Sequence, residues 1–170
     1  MQPTPVQPPI SVPHRPAVRY AGFWRRFVAH LIDQILVGIV AFMVLIPALA
    51  LFGLGIGAAA VDEDPEAMGG FFIAALMAYF GAILLIIVAQ WLYYALMESS
   101  SKQATLGKLA LGIVVTDLNG NRISFGRATG RYFGKIVSGM IFAIGYIMAG
   151  LTERKQALHD ILASCLVVLR

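Results

Sequence analysis

Two long stretches of this chain carry no charged residue, and they constrain its fold more than any other feature. Residues 34–61 form one run of 28 uncharged positions, and residues 67–97 form a second run of 31. Because about 20 apolar residues suffice to cross the hydrocarbon core of a bilayer, each run is long enough for a membrane-spanning helix. We therefore predict two transmembrane helices, at about 23–55 and 69–97.

The composition agrees with an integral membrane protein and excludes several classes of function. Of the 170 residues, 59% are hydrophobic and 13% are charged, whereas about a quarter of the residues of a soluble domain are charged. Bases and acids are segregated along the chain, so the net charge of +4 does not indicate nucleic-acid binding. The one cysteine, Cys165, excludes an internal disulfide and a cysteine-based zinc or iron–sulfur site. We expect no cofactor and no metal, and no arrangement of a nucleophile with a base indicates an enzyme.

The first 20 residues differ from the rest of the chain. Residues 1–20 contain six prolines and show no apolar periodicity, which predicts a disordered tail. Residues 21–170 then form a single membrane domain, since this length leaves no room for a second folded one. The first predicted span is longer than the apolar region of a signal peptide and holds Asp33, so we expect it to stay in the mature protein.

The distribution of bases predicts the orientation of the helices. Residues 1–32 hold four arginines and no acid, while the loop between the runs holds four acids and no base. Six further bases lie between residues 98 and 135. Because Lys and Arg concentrate in cytoplasmic loops, we predict that the N-terminal tail and residues 98–135 are cytoplasmic and that the acidic loop lies outside.

The region after the second span is predicted to begin with a small cytoplasmic β-hairpin. Residues 111–116 are apolar and rich in β-branched side chains, and residues 117–121 supply a turn with Asn119-Gly120 at its centre. Residues 123–125 can then form the return strand.

An amphipathic helix is predicted to follow the hairpin. Its glycines recur every fourth residue, at 126, 130 and 134, which predicts close approach of another helix. Beside them runs a basic stripe of Arg127, Arg131 and Lys135. We interpret this stripe as long side chains that reach the lipid headgroups, and a ligand site is the alternative.

The third apolar segment leaves two topologies open. Residues 136–152 are 17 uncharged positions, which is short for a full crossing. The segment forms either a short span or a helical hairpin that dips into the membrane and returns. Residues 165–169 are too few to span and resemble a strand, which could pair with residues 111–116 only if both lie on one side.

Three polar side chains lie at the start of the first span, on one helical face. At 100° per residue, Arg26, His30 and Asp33 fall within about 60° of one another. Ionisable groups at membrane depth are costly, so they are usually paired or functional. A carboxylate whose protonation competes with cation binding could support proton-coupled ion exchange. A structural ion pair between Asp33 and an arginine is the equally weighted alternative.

The end of the second span mirrors this arrangement. Gln90, Tyr94 and Glu98 recur every fourth residue at its cytoplasmic end, at a depth similar to that of Asp33 in an antiparallel pair. This predicts a polar cavity that faces the cytoplasm rather than a continuous pore. Gly53 and Gly57 form a GxxxG pair in the first span, which favours packing against a second copy of the chain as a homodimer.

Three motifs occur in order along residues 20–170. They are Arg26-Phe-Val-Ala-His-Leu-Ile-Asp33; Thr105-Leu-Gly-Lys-Leu109 with Gly112 and Asp117; and Gln156-Ala-Leu-His-Asp160 with Ala163 and Val167-Val168. Together they resemble the signature of the RDD family of bacterial membrane proteins, named for one arginine and two aspartates. By position, the family trio corresponds to Arg26, Asp33 and Asp160. Leu106 stands where the family has proline, and Ser164-Cys165 replaces a small residue followed by threonine.

This resemblance implies a multi-pass protein of the bacterial cytoplasmic (inner) membrane. Some members of the family are described as sodium (potassium)/proton antiporters, so the expected partners are the lipid bilayer, a monovalent cation or proton, and a second copy of the chain. We expect the trio to converge in one polar cluster. The expected ion-binding cluster is Arg26, Asp33, Asp160 and His30, with Gln90, Tyr94, Glu98, Arg131 and His159 as accessory residues.

The sequence therefore leaves two functional hypotheses of different classes open. The first is cation/proton exchange, with Asp33 as the titrating ion site. The second is a non-transporting scaffold, in which the ion pairs only fix the fold and the cytoplasmic hairpin binds a protein partner.

Overall fold

The computed structural model of the chain describes residues 18–61, 65–140 and 144–170, and within these ranges it is mostly helical. Its elements are α1 (Phe23–Val61), α2 (Pro65–Ser99), α3 (Leu106–Ala110), β1 (Ile113–Asp117), α4 (Phe125–Met140), α5 (Ile144–Leu151), α6 (Leu158–Leu162) and β2 (Cys165–Leu169). The predicted fold class is confirmed: two long apolar helices, a third helical segment and a small antiparallel sheet. Most of the predicted tail, up to residue 17, lies outside the described residues.

Helices α1 and α2 form the antiparallel pair that the two uncharged runs predict. Both are long and apolar enough to cross a membrane. The rings of Phe52 and Phe72 meet at a centroid distance of 6.3 Å, and the side chains of Gln34 and Gln90 meet at 3.5 Å. The first turns of α1 and the last turns of α2 therefore lie together, and we call this the polar end.

Helix α1 is longer than the hydrocarbon layer of a bilayer is thick. Its 39 residues extend about 58 Å at 1.5 Å per residue, whereas the hydrocarbon core is about 30 Å thick. The uncharged residues 34–61 suffice to fill that core. Asp33 and the residues before it are therefore not needed to cross the hydrocarbon, and Asp33 is buried by the rest of the chain.

The third apolar segment is a bent helix pair. Helices α4 and α5 meet at 98° across a break, and residues 141–143 of that break lie outside the described ranges. Strand β2 pairs with β1, and α6 packs against α4. The chain therefore leaves the polar end after Phe125 and comes back to it before Leu158, as the returning hairpin requires.

The two-stranded sheet forms, but the predicted return strand at residues 123–125 was wrong, and the strand predicted at residues 165–169 takes its place. Strand β1 pairs antiparallel with β2, with Ile113 opposite Leu169 and Asp117 opposite Cys165. Residues 121–124 are not a strand. The carboxylate of Asp117 accepts hydrogen bonds from the N–H groups of Asn119 and Asn121, each at 2.8 Å, so the predicted turn is present but leads directly into α4.

The sheet also holds the beginning of the described chain. Tyr20 forms a bridge with Val168, and the N–H of Ala21 donates to the carbonyl of Val167 at 2.9 Å. Beneath the strands lies a compact apolar core of Ala21, Ala29, Ala95, Ile113, Val115, Ile123, Ala128, Cys165 and Val167. This core fixes α1, α2 and α4 to the sheet at the polar end.

Helix α4 turns two of its bases inward, contrary to the interpretation that its basic stripe reaches the headgroups. Arg131 is only 2% exposed and Lys135 is largely buried, while Arg127 is exposed. The opposite face exposes apolar side chains: Phe133, Ile136, Val137 and Met140. The inward bases are compatible with burial because acids on α2 and α6 face them. Of the three glycines, only Gly134 is closely approached, by His159 of α6.

Candidate functional site

Asp33 is fully buried and is held by three hydrogen-bond donors. Its carboxylate accepts the Tyr93 hydroxyl at 2.8 Å, the Thr105 hydroxyl at 2.6 Å and the Gly107 N–H at 2.8 Å. Among the described residues, no lysine or arginine forms an ion pair with it. Asp33 is thus a buried acid that is satisfied by neutral donors, two of which are hydroxyl groups.

The predicted ladder along α1 does not form by direct contact. Arg26 reaches away to Asp160, and Nδ1 of His30 lies 3.3 Å from the hydroxyl of Tyr94. The structure therefore brings Arg26 and Asp160 together and holds Asp33 in a separate set of hydrogen bonds close by. The predicted accessory residue Gln90 donates from its side-chain amide to the side chain of Gln34 at 3.5 Å.

The short segment before and within α3 wraps around Asp33. Thr105 and Gly107 donate to its carboxylate, and Lys108 reaches Glu98 of α2 at 2.5 Å. Gly107 lies directly against the backbone of α1. A Cβ atom there would overlap the carbonyl oxygen of Ala29 and lie 3.0 Å from Cγ of Asp33. Only glycine allows this approach.

Substitution of Gly107 by alanine is therefore expected to push α3 away from α1 and to lower the free energy of unfolding by about 1–3 kcal/mol, as overpacking of a core does. Gly130→Ala is the matched control, because a Cβ at position 130 meets no atom within 4 Å and alanine favours the helix. Thermal unfolding of both variants in detergent measures the difference. Equal melting temperatures for the two variants would contradict this role of Gly107.

Glu98 is the first of two buried acids that bind bases from several elements. Its carboxylate lies 2.5 Å from Nζ of Lys108, 2.5 Å from Nη1 of Arg131 and 3.6 Å from Nζ of Lys135. Lys135 also lies over the ring of Tyr94, 4.0 Å from its centroid. Glu98 thus connects α2 with α3 and α4.

Asp160 is the second buried acid, and it binds two arginines. Arg131 donates to it from Nε at 2.9 Å and from Nη2 at 2.6 Å, and Arg26 pairs with its other oxygen. The N–H of Ala157 donates to it at 3.1 Å. Arg131 therefore links both acids, and we call the series Lys108–Glu98–Arg131–Asp160–Arg26 the ion-pair chain.

Burial and charge set the protonation of the groups that α3 and α6 contribute. Burial lowers the pKa of Lys108 to about 7, although Glu98 opposes the shift. Burial would raise the pKa of Asp160, but Arg131 and Arg26 hold it well below its ordinary value. Burial lowers the pKa of His159 to about 3. At neutral pH, Asp160 is therefore ionised, His159 is neutral and Lys108 is close to its midpoint.

A cavity of about 410 Å³ lies in front of the ion-pair chain, between α1, α4 and α5. Phe23, Phe27, Ile147, Ala149 and Val167 contribute apolar walls. Its ionisable and aromatic lining consists of Arg26, His30, Asp33, Tyr94, Lys108, Arg131, Lys135, Tyr146 and His159. Among the described residues, no group of three or more His, Cys, Asp or Glu side chains is placed to hold a metal ion.

Most of the residues that the sequence singles out lie at this cavity or one contact behind it. Glu98 and Asp160 stand behind the bases rather than on the wall. Sequence reasoning missed Tyr93 as a donor to Asp33 and Lys135 as a cavity residue. Thr105 and Lys108 belong to the second of the three motifs that resemble the RDD signature. That motif was the sequence signal for their role around Asp33 and Glu98.

The similarity to known proteins covers nearly the whole chain and not only the site. The sequence model of the RDD family matches residues 20–164. The chain is similar to the "Uncharacterized protein YxaI" of Bacillus subtilis, with 40% identity over 150 residues that cover 87% of this chain and 96% of the relative. It is also similar to the "Uncharacterized membrane protein YteJ" of the same organism, with 30% identity over 155 residues that cover 88% and 80%. No solved structure matches the chain.

Proposed function

The chain belongs to the RDD family and is a membrane protein, and on this premise we propose that it exchanges a monovalent cation for a proton, with Asp33 as the cation site and Lys108 as the proton site. One observation carries the proposal. The buried carboxylate of Asp33 and the buried ammonium of Lys108 line the same cavity, and the N–H of Gly107, the residue before Lys108, donates to that carboxylate.

The surroundings of Asp33 suit a monovalent cation. The hydroxyl oxygens of Tyr93 and Thr105 lie within 2.8 Å of the carboxylate, and both keep lone pairs that can face an ion. Hard cations prefer oxygen ligands, among which a carboxylate contributes the charge. Since no base among the described residues pairs with Asp33, a cation would meet an acid whose charge is not already neutralised by direct contact.

The charge balance of the site explains why cation entry would release a proton. The cavity and the ion-pair chain together hold four bases and three acids: Arg26, Lys108, Arg131, Lys135, Asp33, Glu98 and Asp160. A cation at Asp33 adds a positive charge to this excess and disfavours the protonated form of Lys108. The arginines cannot compensate, because a guanidinium does not lose its proton in proteins. One cation for one proton leaves the total charge unchanged.

The orientation belongs to the same proposal. Bases flank the polar end, and the loop between α1 and α2 holds acids, so the polar end faces the cytoplasm of a bacterial inner membrane. The cavity is then loaded from the cytoplasm. A homodimer through Gly53 and Gly57 is part of this proposal, and a Cβ built at either glycine meets no described atom within 4 Å.

Proteoliposomes with an internal pH dye test the exchange. A sodium or potassium gradient is expected to change the internal pH in wild-type vesicles, and Asp33→Asn and Lys108→Arg should reduce the signal to background. Arginine at 108 keeps the positive charge next to Glu98 but removes the exchangeable proton. Glu153→Gln and Lys102→Arg are matched controls at exposed positions and should exchange as wild type does.

The pH dependence gives a second readout of the same experiment. Because the pKa of Lys108 lies at about 7, cation-driven proton release should change most steeply near neutral pH. Absence of flux in folded wild-type protein would contradict exchange and favour the alternative, a scaffold whose ion pairs only hold the fold and whose sheet binds a protein partner. Undiminished flux in Lys108→Arg would contradict the assignment of the proton site.

A further inference from the structure

The cavity has an excess of positive charge that the protein itself does not neutralise. Four bases line its wall, whereas Asp33 is the only acid there among the described residues. Glu98 and Asp160 offset part of this charge from behind, and one positive charge remains while Lys108 is protonated. His159 adds no charge at neutral pH, since burial keeps its pKa at about 3. A low-dielectric cavity with an uncompensated positive charge favours an anionic ligand.

Two bases on the wall have binding capacity left. Nη2 of Arg26 is buried and has no hydrogen-bond partner among the described residues, although Nε donates to the carbonyl of Ala21 and Nη1 pairs with Asp160. Lys135 is 3.6 Å from Glu98, the longest of the three contacts to that acid. An anion between Arg26 and Lys135 would satisfy both. Asp33 already accepts hydrogen bonds on both of its oxygens, so it needs no hydrogen bond from Arg26 or Lys135.

The cavity opens sideways along an apolar path. Phe27 and Ile147 line it and are 48% and 49% exposed, so the opening lies between α1 and α5. A second recess of about 390 Å³ at the start of α1 shares Phe23 and Ile147 with the cavity and is also lined by Trp24, Leu151 and Lys155. Trp24 and Leu151 are strongly exposed, at 73% and 81%, as expected of side chains that face lipid or its headgroup boundary.

From this combination we propose that the cavity binds the phosphate headgroup of an acidic phospholipid, which enters from the bilayer between α1 and α5. The phosphate would lie between Arg26 and Lys135, and the apolar walls would contact the first carbons of an acyl chain. A zwitterionic lipid would bring a second positive charge into a site that already has an excess. Lipid retention is measured without an ion gradient, so failure of either experiment leaves the other interpretable.

Native mass spectrometry of the full chain tests this proposal. The protein is released from micelles that contain equal amounts of dioleoylphosphatidylglycerol and dioleoylphosphatidylcholine, and the retained lipid is counted. We expect wild-type protein to retain the anionic lipid roughly tenfold more, the effect of one charge-assisted contact. Lys135→Met should remove most of this preference, and Ile147→Trp, which narrows the opening, should reduce retention of both lipids.

Two controls separate the outcomes. Arg127→Met removes an exposed base from the same helix and should retain lipid as wild type does. Melting temperatures check that Lys135→Met and Ile147→Trp are folded. Lys135→Met is expected to fold because Glu98 keeps Lys108 and Arg131. Equal retention of both lipids by wild-type protein would overturn the proposal. So would displacement of the lipid by millimolar inorganic phosphate together with unchanged retention in Ile147→Trp, because the site would then bind a free anion.

Discussion

Replacement of Asp160 by asparagine is expected to lower the free energy of unfolding by about 3–5 kcal/mol, the cost of removing one partner from a buried ion pair. Asp160 is fully buried and accepts hydrogen bonds from Arg26, Arg131 and the N–H of Ala157. Asparagine fits the same space but brings no charge. Two guanidinium groups would remain at the polar end with one acid, Glu98, for Arg131 and none in contact with Arg26.

Thermal or SDS-induced unfolding of the purified protein, followed by circular dichroism, measures this loss. Glu153→Gln is the control, because it removes an exposed acid of the same segment without touching the ion-pair chain. The deficit of Asp160→Asn should be the same at pH 6 and pH 9, since arginine does not titrate in this range. A melting temperature within about 2 °C of the wild type would contradict the structural role of Asp160.

Replacement of Glu98 by glutamine is expected to have the second-largest effect, and this effect should depend on pH. Glu98 contacts three bases, of which Lys108 and Lys135 are lysines. A buried lysine that loses its acid can release its proton, whereas an arginine cannot. The cost should therefore approach about 3–5 kcal/mol at low pH, where the lysines remain charged, and fall as they become neutral.

The sign of the pH dependence follows from proton linkage. Without Glu98 the pKa of Lys108 should fall further below 7, while the unfolded chain keeps the ordinary value. The unfolded state then binds more protons between these two values, so stability of Glu98→Gln rises with pH in that interval. Wild-type Lys108 also becomes neutral above about pH 7, so the deficit relative to wild type should shrink as the pH rises towards 7 and then level off. Unfolding measured from pH 5 to pH 9 tests this expectation. A deficit that stays constant or grows with pH below pH 7 would contradict a lysine-based rescue.

The two spans could be predicted from the sequence because they depend on a local property, the absence of charge over residues 34–61 and 67–97. The sheet could be predicted only in part. The Asn119-Gly120 turn is a strong local signal for a hairpin, so it predicted a return strand at residues 123–125 that does not form. The actual partner, β2, lies about fifty residues further along the chain, and its pairing depends on where the bent helix pair returns.

The site was less accessible to sequence reasoning than the fold. The partnership of Arg26 with Asp160 followed from the family motif rather than from spacing, since 134 positions separate them. For α4, the pattern shows that Arg131 and Lys135 share a face, but not whether that face meets headgroups or acids. That choice depends on Glu98 and Asp160, which lie on other elements.

The residues of the ion-pair chain are synthesised at different times, so its contacts form in sequence. Synthesis proceeds from the N-terminus, so α1 is made long before Asp160, and Arg26 stays without this partner while more than a hundred further residues are translated. Glu98 meets Lys108 after ten residues, then Arg131, and Asp160 joins last. Strand β2 follows Asp160 and closes the sheet over the core. The first two helices are thus complete before the polar end can close, and a chain that ended before α6 would leave Arg26 and Arg131 without the carboxylate of Asp160.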